Sequence, residues 1–321
     1  MLEDLHWADE SLILLSRLYE LAQRSPLLIV GTYRDDERPK LPDEYPSLQY
    51  MKLDRLTPDA IEKLSESMLG EIGKSPDVVE LLNRETEGNV FFIVEVVRAL
   101  AEASGQLADV GQHPLPAHVF AGGMRAVIQR RLDKVPDSAR RLMTIAAVVG
   151  RELDLPILHS IIPTMNMEDW LQQVATVIEA RDNDYRFAHD KLREGILDNI
   201  AEADRRSIHR EIASTIEAIY PDSPEQFAAL AYHWGETQNA IKTVHSATRA
   251  GEQALRSGSY RDAIRLFEQA LALVDQAGMN NYQLSNLHHL MGEAYWGQTD
   301  MLQSRQSHIK ALRLLGWDSA R

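Results

Sequence analysis

The chain has 321 residues, 44% of them hydrophobic, which is enough to bury cores in two or three domains and too apolar for a disordered chain. Its 34 Lys and Arg against 48 Asp and Glu leave a formal net charge of −14, which repels nucleic acid and anionic lipid and excludes broad electrostatic binding to either. No cysteine is present, so disulfides and thiolate zinc sites are ruled out, and a reducing compartment, by default the cytoplasm, is the expectation. Acids at positions 3 and 4 stand where a signal peptide would be basic, and no apolar run reaches the roughly 20 residues that span a bilayer.

The first ten residues are MLEDLHWADE. Leu2-Glu3-Asp4 has the pattern of a buried strand ending in two carboxylates. In nucleotide hydrolysis one such acid holds Mg²⁺ through water, and the next orients or deprotonates the attacking water. The plainer reading is an acidic helix cap, stabilised by the helix dipole. Next, SLILLSRLYELAQRS spaces Leu12, Leu15, Leu18, Tyr19 and Leu21 along one helical face, and PLLIVGTYRDDE is an apolar run ending in Gly, as a buried parallel strand does. Strand end, helix and strand fit a βαβ unit, whose ligand site lies at the carboxyl ends of the strands, so Glu3, Asp4, Thr32 and Arg34 are expected on one rim.

From Thr57-Pro58-Asp59, a helix start with Pro in its first turn, the chain is helical through DAIEKLSESML, PDVVELLNRETE and NVFFIVEVVRALAEA. The stretch 104–123 is rich in Gly and Pro and has no period; it contains the linker, placed at 113–123. Helices are expected near 124–134, 136–149 and 168–179. VIEARDNDYRFAHD then carries two short β-prone runs around Asp182-Asn183-Asp184, and a further helix follows. Helices, a hairpin and a helix make a winged-helix order over 124–220. Past YPDSPEQ the chain is helical to its end.

That last region, 221–321, repeats itself. Setting AGEQALRSGSYRDAIRLFEQALAL against MGEAYWGQTDMLQSRQSHIKALRL pairs Gly251 with Gly292, Glu252 with Glu293 and Ala270-Leu271 with Ala311-Leu312, an offset of 292 − 251 = 41. A tetratricopeptide unit repeats at about 34 residues with small residues where its paired helices touch. Gly251, Ala263, Phe267 and Ala270 fall at those intervals, and the seven extra residues fit a longer loop around AGMNNYQ.

A phosphate loop needs G-x-x-x-x-G-K-[ST] after a strand. The nearest imitation, GEIGKS at 70–75, has Met68 where the first Gly belongs and Pro76 just after it, and reads as a turn between helices. His189-Asp190, His288-His289 and Tyr232-His233-Trp234 lack partners at metal-ligand spacing along the chain and read as packing or surface residues. The helix that would enter a DNA groove, MEDWLQQVATVIEA, carries Glu168 and Asp169 and no Lys or Arg, so direct base readout is not expected.

LEDLHWADESLILLSRL followed by LLIVGTYRDDE closely resembles the second half of the ATPase core of STAND-class P-loop ATPases, a signalling branch related to AAA+ proteins. The resemblance implies that Glu3 is the magnesium-side acid of the Walker B strand, Asp4 the water-positioning acid, and Thr32 or Arg34 the sensor 1 group facing the γ-phosphate. TEGNVFFIVEVVRAL is similar to the family's GNPFF lid segment, with Val90 in place of Pro. That similarity implies adenine contacts at Gly88 and Asn89. YRFAHDKLREGIL with RRSIHREIA resembles the end of the winged helix that follows the lid, and tetratricopeptide-like helices commonly come next.

The fold expected is mainly α: a partial P-loop α/β core at 1–56, a helical lid at 57–112, the linker, a winged-helix domain at 124–220 and the start of a tetratricopeptide-like solenoid at 221–321. The family implies ATP or ADP with Mg²⁺ as cofactors of a longer relative, nucleotide-dependent oligomerisation there, and a protein partner or ligand on the repeats. A chain that opens at Walker B, without a phosphate loop before it, is expected to bind no nucleotide tightly and not to hydrolyse ATP alone. Two other readings stand beside this one: a non-enzymatic interaction protein built on the helical repeats, and a winged-helix transcription factor.

Overall fold

A computed structural model describes residues 2, 5, 11–35, 37–104, 124–181 and 184–317 of the chain. They are mainly helical and fall into two compact units, 54–246 and 1–53 together with 247–321. No described helix is long and apolar enough to cross a membrane.

In the first 53 residues, α1 (Ser11–Ala22) buries Leu12 and Leu15 against Leu41 of the short α2 (Leu41–Glu44), with Leu5, Ile29, Tyr33 and Tyr45 around them. The expected face is narrower than its spacing suggests, because Leu21 is exposed. The run 27–30 is not a buried strand either: Leu28 is 85% and Val30 46% exposed, and its described pairing is a single parallel bridge between Leu2 and Gly31. A parallel strand becomes apolar all round only when sheet neighbours and helices cover both faces, and here a few backbone bonds to Leu2 and Leu5 leave Leu28 in solvent.

The unit 54–246 starts with α3 (Pro58–Leu69), α4 (Pro76–Thr86) and α5 (Val90–Ser104). Thr57 caps α3 by accepting from the Ala60 N–H at 3.4 Å, and Pro58 takes the first position, where its missing N–H costs nothing. Ile61, Leu81, Leu82, Phe92, Ile93 and Val97 interlock as the core of these helices, and Val127 of α6 (Met124–Asp133) joins them.

A second core follows. After α6 come α7 (Asp137–Val149), α8 (Leu155–Ile161) and α9 (Met167–Gln173), then the antiparallel pair β1 (Ile178–Arg181) and β2 (Asp184–Phe187), with Ile178 opposite Phe187. The segment Arg151–Leu153 lies along β2: Phe187 N–H donates to Arg151 O at 3.1 Å and Leu153 N–H to Tyr185 O at 2.8 Å. The helix expected at 168–179 stops at Gln173, because Val174 and Val177, both fully buried, turn the chain so that Ile178 enters the hairpin. Trp170 is fully buried, and its indole N–H donates to Ala139 O at 3.2 Å, which fixes α9 on α7. The next helices are α10 (Asp190–Asp198), α11 (Glu202–Ile219) and α12 (Phe227–Gly235). Leu142, Leu158, Phe187, Leu192 and Ile212 complete this core.

Five helices follow to the end of the described chain: α13 (Ala240–Arg256), α14 (Tyr260–Leu271), α15 (Val274–Ala277), α16 (Asn281–Gly297) and α17 (Met301–Leu314). Lys242 at the start of α13 pairs with Glu217 at 2.8 Å, and Glu217 also accepts from the Trp234 indole N–H at 3.1 Å. The seven residues 277–283 hold the last residue of the short α15, Gly278 in the left-handed region at φ +66°, and a capping box in which Asn280 and Gln283 satisfy each other's backbone N–H. They are therefore more ordered than the loop expected there.

Candidate functional site

The expected rim lies in the first unit. Leu2 N–H donates to Val30 O at 2.8 Å, Leu2 O accepts from Thr32 N–H at 2.9 Å, and Leu5 N–H donates to Thr32 O at 2.8 Å. The residues on either side of Glu3-Asp4 are thus bonded in parallel register to the end of the 27–32 run. Glu3 and Asp4 themselves, like His6 and Trp7, lie outside the described residues. Arg34 Nη1 donates to the Glu37 carboxylate at 2.8 Å, a pairing that competes with any phosphate for the same guanidinium.

Gly88 and Asn89 lie in the other unit and have clear local work. Gly88 sits at φ +78°, and a Cβ there would stand 2.3 Å from Leu56 O, so the left-handed turn and the close backbone crossing both require glycine. Its carbonyl accepts from Leu56 N–H at 2.9 Å. Asn89 caps α5, its Oδ1 accepting from Phe91 N–H at 3.1 Å and Phe92 N–H at 3.4 Å. Val90 is then the first residue of the helix, the position that favours proline, which gives a physical reason for the Gly-Asn-Pro pattern of the resembling family. Asn89→Ala is expected to cost about 1 kcal/mol and Asn89→Asp much less, read from thermal melts of the two variants. Equal melting of Asn89→Ala and the parent chain would contradict the capping role.

Just beyond the cap, three elements converge on Phe91. The His189 ring stacks on it at 4.0 Å between centroids, and the Arg131 guanidinium lies over it at 5.7 Å. Arg131 grips Glu95 with both arms of its fork, Nε to Oε2 at 2.6 Å and Nη2 to Oε1 at 2.5 Å. His189 also caps α10, its Nδ1 accepting from Lys191 N–H at 3.1 Å, which leaves the ring proton on Nε2. Beside this junction opens a cleft of about 510 Å³, lined by Arg98, Arg130, Arg131 and Lys134 against Glu95 and Glu179. Separations of 36 and more residues join these groups, so sequence spacing does not show the cleft.

The phosphate-loop imitation does not fit a nucleotide. Gly70–Lys74 is a 3₁₀ turn between α3 and α4, and Ser65 Oγ donates to Gly73 O at 2.5 Å. Lys74 is held between Glu66 and Glu71, each at 3.0 Å, and the hydrogen bond to Glu71, then that to Glu66, raises its pKa. Among the described residues the phosphate grip of a nucleotide site is therefore not supplied by this lysine. Tyr232-His233-Trp234 also serves packing: His233 is buried on α12, with its Nδ1 2.9 Å from Nδ1 of buried His209 on α11. Burial, and secondarily the charge of His209, lowers the His233 pKa to about 3, while burial lowers that of His209. Nothing in the spacing of these two histidines foretells their pairing.

No family model matches the chain. An uncharacterized protein of Rhizobium meliloti (strain 1021) is 23% identical to it over 292 residues, covering 85% of this chain and 28% of that protein. Among solved structures, a signal transduction ATPase with numerous domains (STAND) with a tetratricopeptide repeat sensor, from Pyrococcus horikoshii, aligns with a TM-score of 0.42 at 11% identity, over 84% of this chain and 43% of that one. The chain thus spans less than a third of the length of the curated relative and less than half of the structural neighbour.

Proposed function

We propose that the chain is the switch-and-binding region of a STAND-type signalling ATPase: the end of a nucleotide core, its lid, a winged-helix module and the first protein-binding repeats. The observation that supports this most is the parallel bonding of Leu2 and Leu5 to Val30 and Thr32. Parallel bonding of this kind suits a Walker B strand beside a sensor 1 strand, and in this reading Glu3, Asp4, Thr32 and Arg34 belong to one edge. The helix, Arg151–Leu153 segment, two helices and hairpin of 137–187 follow a winged-helix order. With Trp170 turned inward and Glu168 and Asp169 in its first turn, α9 suits intramolecular packing rather than a DNA groove.

For the chain alone, phosphate release from Mg²⁺-ATP is expected not to exceed the buffer rate. Turnover that needs Mg²⁺ and disappears in Asp4→Asn would overturn this. The family reading itself is tested in the DNA upstream of the Met1 codon, which is expected to encode, in frame or after one shift, a strand and a Gly-rich Lys-Ser/Thr loop.

A second reading, a non-enzymatic interaction protein, draws on the surface of α16 and α17. Tyr282, Trp296, Met301 and Leu302 are all exposed there, and scattered aromatic anchors of this kind suit a protein partner. A terminator and ribosome site directly before Met1 would favour it.

A further inference from the structure

The two copies of the repeat differ at the positions that matter most for their packing. In the first, Gly251 lets the fully buried Phe267 ring lie on the backbone of α13; a Cβ on Gly251 would stand 2.4 Å from Phe267 Cε1. In the second, the same arrangement holds between Gly292 of α16 and His308 of α17, with a Cβ 2.6 Å from His308 Cε1. Position 308 is 267 + 41, so an imidazole replaces the apolar knob at the repeat offset. By the same offset His289 stands where the first copy has Thr248, while Glu293 matches Glu252. The second hairpin therefore gains two histidines beside an acid that both copies share.

These three side chains meet. His289 and Glu293 are four residues apart on one face of α16, and His308 faces them from α17. One ligand atom from each lies within 4.8 Å of the other two. His289 Nδ1 is 3.4 Å from His308 Nδ1, and His308 Nε2 is 3.6 Å from Glu293 Oε1. Both distances are longer than the about 2.7–3.2 Å of strong hydrogen bonds, so these are weak contacts that a metal ion can replace. These two distances use different nitrogens of His308, of which an ion takes one. Around a tetrahedral ion with ligands at about 2.0–2.1 Å donor atoms sit roughly 3.3 Å apart, so the set, now within 4.8 Å, closes by rotation of the exposed His289 and Glu293 side chains. Glu293 and His308 also border an open cleft of about 430 Å³ with Trp296, Met301 and Arg305, which gives an ion a way in and water a place to complete its shell.

We propose that His289, Glu293 and His308 form a site for a divalent transition-metal ion, of the class Zn²⁺ represents, that staples α16 to α17. Two imidazoles and one carboxylate favour Zn²⁺, Ni²⁺ or Cu²⁺ over Mg²⁺ and Ca²⁺, which prefer all-oxygen shells. Three protein ligands leave at least one position open.

The test uses the full chain without a histidine tag, titrated with Zn²⁺ against a chromophoric chelator, beside His308→Phe, His289→Thr and Glu293→Gln. The first two variants carry the residues that the first repeat has at those positions, and metal-free melts verify that all three fold. The parent chain is expected to bind one Zn²⁺ at about 10 µM or tighter and each variant at least about tenfold more weakly. Zn²⁺ should raise the melting temperature of the parent alone. Equal stoichiometry and affinity in parent and variants, unchanged binding by a folded Glu293→Gln, or no binding tighter than about 100 µM by the parent would overturn the site.

Discussion

Between pH 8 and pH 5 the chain is expected to lose about 2 kcal/mol of stability through the buried imidazole pair of α11 and α12. In the folded chain His233 titrates at about 3 because burial opposes its charge, with the charge of His209 a smaller cause; in the unfolded chain it titrates near 6.5. As pH falls below 6.5 the unfolded state takes up a proton that the folded state refuses. The stability is thus complete above 6.5 and is lost progressively toward pH 3, where the loss reaches about 4 kcal/mol. His209, lowered by burial and by Arg205 but raised by Glu236, adds in the same direction. With one imidazole donating and the other accepting at 2.9 Å, protonating the accepting ring sets two donors face to face, and protonating the donating ring places a charge in a buried site. The variant His233→Gln keeps a donor for His209 and does not titrate. Urea unfolding from pH 8 to pH 5 should fall less steeply for it, and parallel curves for the two proteins would refute the assignment.

Glu95→Ala is expected to cost about 3–5 kcal/mol, because it leaves the Arg131 guanidinium without its carboxylate. The side chains of Glu95 and Arg131 are only 7% and 13% exposed, and the fork between them joins α5 to α6. Such a pair is costly to half-remove but not to remove whole, so Glu95→Leu with Arg131→Met should recover most of the loss. Arg98, 3.3 Å from the same carboxylate but well exposed, contributes little. Urea unfolding at pH 7.5 reads all three proteins. A loss below about 1 kcal/mol in Glu95→Ala would mean that the cleft hydrates Arg131 enough to stand alone.

Local features were read from the chain with good fidelity. Thr57-Pro58 starts α3, the runs around 182–184 pair as β1 and β2, and GEIGK is a turn between helices. Each rests on neighbours within a few residues: a hydroxyl reaching the next turn, β-prone runs on either side of Asp182-Asn183-Asp184, a proline ending a phosphate-loop match. Where a distant partner decides, local pattern misleads. The helix through 168–179 stops six residues early because Val174 and Val177 are needed in the core and Ile178 opposite Phe187. Leu28 has the pattern of a buried strand residue but is mostly in solvent, since periodicity reports apolarity and not which segment covers it.

The sequence by itself determined a mainly helical chain, its punctuation, and a repeat of offset 41 that predicts which glycines meet which knobs. Periodicity and capping are written in adjacent residues, and a repeat is visible because the chain is compared with itself. Only the tertiary structure decided that Gly88 and Asn89 serve a turn and a cap, that Glu95 holds Arg131 from 36 residues away, and that His289 and Glu293 acquire His308 from the next helix. Those groupings depend on which helix faces are pressed together, and burial, which sets both the His233 pKa and the strength of the Glu95 pair, exists only once the helices have packed.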